Sequence, residues 1–350
     1  MDCPIKSGND VVWFRIFDTA ASAGFFIRGK GGVTQKNHFL TDKELPYMIY
    51  FIVLTKRETW ALLKKAGAVR GSMPDDPTWD LFQVNLSGAD LTGADLSEAA
   101  IEESNLSGAI LSEAYLYDAN LSGASLEKAT LIKCDLNGSH LMDANFSEAD
   151  LTEANLSEAN LSGANFTLAN LTAANLSDAY MNNANLGNAN LSKVNLSMTS
   201  LSGANLAGAN LGEADLSATD LSDADLSGSN LTGANLTDCV FYRTRLNGAN
   251  LSAANCQNTT FYGIDGTGAN LSGADLSNAN FHEANLSGAN LSNANLTGAN
   301  LSRANLSKAI LKGAILSGAD LTEANLEGAD LSDVVKEAKS TESPAETQDS

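Results

Sequence analysis

The sequence has little of what metalloenzymes and secreted proteins are built with. Four cysteines in 350 residues are too few and too scattered for a disulfide framework. Cys134, Cys239 and Cys256 stand where small or apolar residues recur, so they read as buried thiols of a reducing compartment. The three histidines, His38, His140 and His282, have no Cys or His at ligand spacing, which leaves no metal site or cofactor to expect. The longest apolar run, Leu45–Leu54, is ten residues long and contains Pro46. A bilayer crossing needs about twice that length, so no membrane span is expected. Met1 is followed by Asp2, and no early apolar stretch ends at a small-residue site, so no signal peptide is expected either. These features fit a bacterial cytoplasmic protein.

Basic charge is scarce in one region only. Residues 1–80 carry 11 basic and 9 acidic groups, residues 81–333 carry 8 and 29, and residues 334–350 carry 2 and 4. The whole net charge of −21 therefore sits in the middle segment. That argues against direct nucleic-acid binding and for solubility or basic partners.

What the middle segment has in abundance is leucine at a fixed spacing. Every fifth residue from Leu81 to Leu331 is a core candidate, and 42 of these 51 positions are Leu. The others are Ile101, Phe146, Phe166, Met181, Phe241, Cys256, Phe261, Gly266 and Phe281. Two residues before each stands a small residue, nearly always Ala; Asn or Asp lies between them, and Ser or Thr usually follows. A period of five fits neither an amphipathic helix nor a strand. It is a repeat, and a unit this short can bury its Leu only by stacking on copies of itself. If the chain turns a corner at each unit, four units make a square coil of twenty residues. Coils paired at strand spacing, about 4.8 Å, would give a rod on the order of 60 Å long.

The motif in units such as Ala204-Asn205-Leu206-Ala207-Gly208 and Ala289-Asn290-Leu291-Ser292-Asn293 resembles the pentapeptide-repeat family. The resemblance implies an all-β fold, a right-handed quadrilateral β-helix. The expected organisation is a non-repeat region and cap over 1–80, the β-helix over 81–333, and a disordered tail over 334–350. The many Asn-Leu-Ser/Thr sequons follow from the repeat and are not read as glycosylation sites.

Residues 1–80 share nothing with the repeat. Val11–Phe17 is read as a strand. Capping boxes at Thr41 with Glu44 and at Thr55 with Glu58 predict two helices, the second running to about Ala68. That helix, with Trp79 and Phe82, is the expected N-terminal cap, a small mixed or helical element. Residues 1–40 are otherwise uninformative and read as poorly ordered. Gly24–Gly31 matches the phosphate-loop spacing GxxxxGK, but Gly31 stands where that loop needs Ser or Thr, so a strand followed by a turn is the better reading.

Within the repeat, residues twenty apart should stack. Phe241, Phe261 and Phe281 then form one interior column, and Phe146 and Phe166 another. At Gly266 the core residue is missing, and Ile264 replaces the usual Ala, a local exchange of volume. Three of the four corner columns are rich in Asp and Glu, while the fourth is mostly Gly; solvated corners and eased turns are the favoured reading, and an oriented charge field with one bare edge is the alternative. One patch breaks the template: Tyr242 and Tyr262, one coil apart and outward, beside Arg243 and Arg245. Aromatics and Arg are enriched at interface centres, so these four residues are the candidate interaction patch.

No nucleophile is paired with a base and no carboxylates share a pocket, so the chain reads as non-catalytic. The expected function is a protein-binding or scaffold module of the pentapeptide-repeat type, its partner an unidentified protein or a second copy of the rod. The alternative comes from the family resemblance: some of its members mimic duplex DNA and bind DNA gyrase, and an acidic rod is compatible with that. Those members resemble one another in a C-terminal pairing element and, often, projecting loops. The repeat here has no insertions, and its tail is short.

Overall fold

The destination of each backbone N–H in one unit explains the shape of the whole rod. In the unit Leu206–Asn210, Leu206 N–H donates to Asp225 C=O (2.7 Å) and Gly208 N–H to Ser227 C=O (3.0 Å), both in the next coil. Asn210 N–H donates back to Ala189 C=O at 2.9 Å, in the coil before. Ala209 N–H closes a turn on Leu206 C=O (3.0 Å). The remaining donor, Ala207 N–H, goes to the Asn205 side-chain Oδ1 (3.1 Å). All five N–H groups are satisfied, three of them between coils, as buried backbone requires. The Asn of the motif is thus an Asx-turn residue, and the Ser or Thr two places on is the one it caps.

This computed structural model describes the backbone of residues 2–7, 10–16, 23–29 and 32–36, and residues 56–66 and 79–336. From Asp80↔Ala100 to Ile315↔Val335, parallel bridges join residue i to residue i+20 at every fifth position. The coil is therefore four units, and the repeat is the right-handed quadrilateral β-helix expected. Each unit contributes one bridge residue and one turn. At all 51 corners, from Gln83 to Asp333, φ is positive, between 52° and 72°. A positive φ at the third residue of a four-residue turn is the type II signature.

The Leu and Ala positions fill the interior and are buried from Leu91 to Leu316, while Leu321, Leu326 and Leu331 in the last coil are half-buried. Phe146 stacks on Phe166 at 4.8 Å, and Phe241, Phe261 and Phe281 stack at 4.9 and 4.6 Å. At Gly266 a Cβ would meet Leu286 Cδ2 at 3.0 Å and Ile264 Cδ1 at 3.5 Å, so Ile264 already occupies the missing volume. Cys134, Cys239 and Cys256 are free and buried. Burial pushes the Cys239 thiol up to about 12.

The second expected helix is α1 (Lys56–Lys65). It buries Leu63 against the first coil, and Thr59 Oγ1 accepts the Asp95 N–H at 2.9 Å. Trp60 stacks on buried Trp79, centroids 6.0 Å apart. Phe82 does not join this cap. It follows Leu81, in the outward Ser position of the first unit, and is 51% exposed. Its apolarity suggested burial, but its place in the period points it outward.

Within residues 2–36 four strands are described where only one segment and a strand-turn were expected. β1 (Asp2–Ser7), β2 (Asp10–Ile16), β3 (Ala23–Gly29) and β4 (Gly32–Lys36) form an antiparallel meander in chain order. The expected Val11–Phe17 strand is β2. Residues 24–29 of the glycine-rich phosphate spacing lie on β3, whose Gly29 pairs with Gly32 of β4. The Thr41–Glu44 capping box and the tail from 337 onward lie outside the described residues.

Candidate interaction face

A side of the rod is one unit, and residues twenty apart line its outward columns. Tyr242 and Tyr262 occupy one such column, and their rings stack at 5.5 Å with planes 8° apart. The column continues to His282, whose ring lies 5.6 Å from that of Tyr262. His282 was not among the expected patch residues, although the spacing 242, 262, 282 could have found it. The next coil carries Ser302, whose hydroxyl meets His282 Nδ1 at 2.7 Å. Stacking along the rod turns the ring edges outward. Rings 5.5 Å apart leave no room for a planar ligand between them, since that needs two spacings of about 3.4 Å.

The adjoining corner column is charged. Arg243 Nε lies 3.5 Å from Asp223, and its guanidinium carbon sits 6.0 Å from the Tyr242 ring centroid. Gly263 follows one coil on. Glu283 then accepts the Tyr262 hydroxyl (2.9 Å), and that hydrogen bond to a carboxylate holds the phenol above its ordinary pKa. Arg303 lies 3.8 Å from Glu283 and 2.9 Å from Glu323. Such exposed pairs are screened and individually weak. Arg245 falls on the next side, beyond the corner at Arg243, with its guanidinium 3.5 Å from Asp225. The structure therefore brings Tyr242, Arg243 and Tyr262 together and sets Arg245 around the corner.

The interior behind this side is also altered. In four successive coils the Ala position is Thr199, Thr219, Cys239 and Thr259. Each side chain donates to a Leu carbonyl of the coil before: Leu176, Leu196, Leu216 and Leu236, at 2.6–2.8 Å. Each of those carbonyls already closes a turn, and its second lone pair takes the hydroxyl or thiol. A buried polar group is tolerated here because its partner is built into every coil.

Among the described residues no group of three His, Cys, Asp or Glu is placed to hold a metal ion, and no helix is long and apolar enough to cross a membrane. A crevice near Lys133 and Glu153 includes Cys134, but burial pushes that thiol far up and away from the reactive thiolate.

Five-residue sides, twenty-residue coils and an apolar interior define a quadrilateral β-helix solenoid. The chain belongs to the pentapeptide repeat family: the family model matches in overlapping segments from residues 80–116 through 299–335. Among solved structures it is similar to HetL, a pentapeptide repeat protein involved in heterocyst differentiation regulation from the cyanobacterium Nostoc. That match has 36% identity, covers 66% of this chain and 89% of HetL, and has a TM-score of 0.27. A pentapeptide repeat protein from the Arabidopsis thaliana thylakoid lumen shares 33% identity over 30% of this chain and 69% of its own, TM-score 0.22. QnrB1, a plasmid-mediated fluoroquinolone resistance protein, shares 19% identity over 47% and 85%, TM-score 0.29. No curated protein matches the chain.

Proposed function

We propose that the protein is a non-catalytic binding rod that recruits a protein partner through the side bearing Tyr242, Tyr262 and His282. The observation that carries this reading is the stacked outward column itself. A uniform rod gives a partner no reason to bind at one height, and this column is the largest local departure on the outer surface. Tyrosine edges supply rigid apolar area with a polar tip, and Arg243 supplies forked donors in an acidic surround. Changing Tyr242, Arg243 and Tyr262 together to Ser is expected to leave stability within about 1 kcal/mol, because all three are surface positions. The same change should abolish the complex captured from the native host with the full chain. A complex that survives it intact would show that the column serves only to cover irregular coils.

A second reading is an acidic DNA mimic that binds a DNA-processing protein such as DNA gyrase. The charge of −21 favours it. The unbroken i to i+20 bridging favours the first reading, because it leaves no projecting loops between the coils.

A further inference from the structure

The corner column beside the tyrosines has a charge order with a symmetry of its own. Up the rod it runs Asp223, Arg243, Gly263, Glu283, Arg303, that is, negative, positive, none, negative, positive. These residues sit one coil apart, about 4.8 Å each. A rotation of 180° about an axis perpendicular to the rod at Gly263 carries height 243 onto 283 and height 223 onto 303. Every charge lands on its opposite. In the neighbouring outward column the same rotation carries Tyr242 onto His282, Ser222 onto Ser302, and Tyr262 onto itself.

We propose that this side binds a second copy of the chain, antiparallel, with Gly263 and Tyr262 at the two-fold axis. The pairing is isologous: Arg243 of one copy faces Glu283 of the other, Asp223 faces Arg303, and each contact occurs twice. Gly263 presents no side chain where the two corners come closest, and the flanking outward residues are small (Ser202, Ser222, Ser302, Thr322). Charge selects this arrangement over its neighbours. A parallel, in-register pair would set Asp223 on Asp223 and Arg243 on Arg243. Sliding one copy by a coil in either direction sets Asp223 against Glu283, or Arg243 against Arg303. Elsewhere two rods of net charge −21 repel, so the sign-balanced stretch is the place where they can meet. The ion pairs within each copy are exposed and exchange readily for pairs between copies. The overlap would run over roughly seven coils, about 34 Å of one narrow side. That lies toward the small end of specific interfaces, so association is expected at micromolar protein.

The inference rests on the reading of this side as a protein-docking surface, and charge reversal separates the two. Sedimentation of the full chain at low salt, from about 1 to 100 μM, should show wild type self-associating. Arg243→Glu and Glu283→Arg should each be monomeric alone, because each sets like charges together twice. An equal mixture of the two should associate again, and so should the double variant Arg243→Glu/Glu283→Arg. Thermal midpoints of all four proteins should agree, which excludes misfolding as the cause. A wild type that stays monomeric at the top concentration overturns the proposal, as does a dimer indifferent to both reversals. If wild type is monomeric but the triple Ser change still abolishes capture of another protein, the docking side stands and its self-pairing falls. If the reversals behave as stated while capture ignores the triple change, the dimer stands and the recruiting function falls.

Discussion

Each corner holds one residue in the left-handed region, and this decides which side chains the rod accepts there. Of the 51 corners, 32 are not glycine, yet none is Val, Ile or Thr. Those residues appear instead at bridge positions, as Ile110, Thr130, Val240 and Ile315. Leu168 sits at a corner with φ of 60° and is 59% exposed, so it bears backbone strain and buries little. Leu168→Gly is expected to raise stability by roughly 1 kcal/mol, the relieved strain exceeding the extra unfolded-state entropy of glycine. Leu168→Val should lower it by more than about 1 kcal/mol. Denaturant melts measure both, and equal midpoints would mean that corners carry no strain. The bridge carboxylate of Asp265 obeys a different constraint. Partial burial pushes its pKa up, but hydrogen bonds from Asn247, Thr267 and Asn285 outweigh this and hold it below the ordinary value. A depressed folded pKa contributes stability above about pH 4, and the contribution fades as pH falls through the folded value. Asp265→Asn keeps an acceptor for Thr267 N–H, so neutral-pH stability should hold while the loss below pH about 4 becomes shallower. Thermal melts from pH 7 down to pH 3 compare the two chains.

The cap and the coils differ in how they are tied together. Within the coils every unit is bonded to two neighbours, so cooperativity passes from coil to coil. The cap helix holds on through contacts that include Leu63, the Trp60–Trp79 stack and the Thr59–Asp95 bond. Leu63→Ala should cost about 2–5 kcal/mol locally. Hydrogen exchange should then show the first coils losing protection while the coils near Phe241 keep theirs. Uniform loss would indicate one global unit. The repeat was legible in the sequence because a single spacing carries both burial and turn, and Leu206 or Phe261 announces its place by number alone. The cap was less so: Trp79 and Phe82 look alike as apolar residues, and only the phase of the period separates the buried one from the exposed one. The meander was less legible, since four short strands give no period to count: Val11–Ile16 and the Phe25-Phe26-Ile27 stretch read as strands, while β1 and β4 carry too few β-branched and aromatic residues to do so.

At the scale of the whole molecule, charge and shape act together. If the acidic rod competes with DNA for an enzyme such as gyrase, purified protein should alter supercoiling at low salt, and the effect should weaken as ionic strength shortens the Debye length to about 8 Å. No effect at low salt and high protein removes that reading. The proposed docking side was partly legible from Tyr242 and Tyr262. His282 was missed because a lone histidine was judged by ligand spacing, not by coil spacing, and Arg245 was misgrouped because three residues along the chain cross a corner. The twenty-residue coil also makes the molecule a dial. Deleting one five-residue unit between the cap and Tyr242 would leave the repeating backbone hydrogen-bond pattern available, yet swing the tyrosines a quarter turn relative to α1. Deleting four units would lower them by one step and restore their bearing. Gene duplications and losses in this chain are therefore heard differently by length: multiples of twenty change reach alone, and every other multiple of five changes heading.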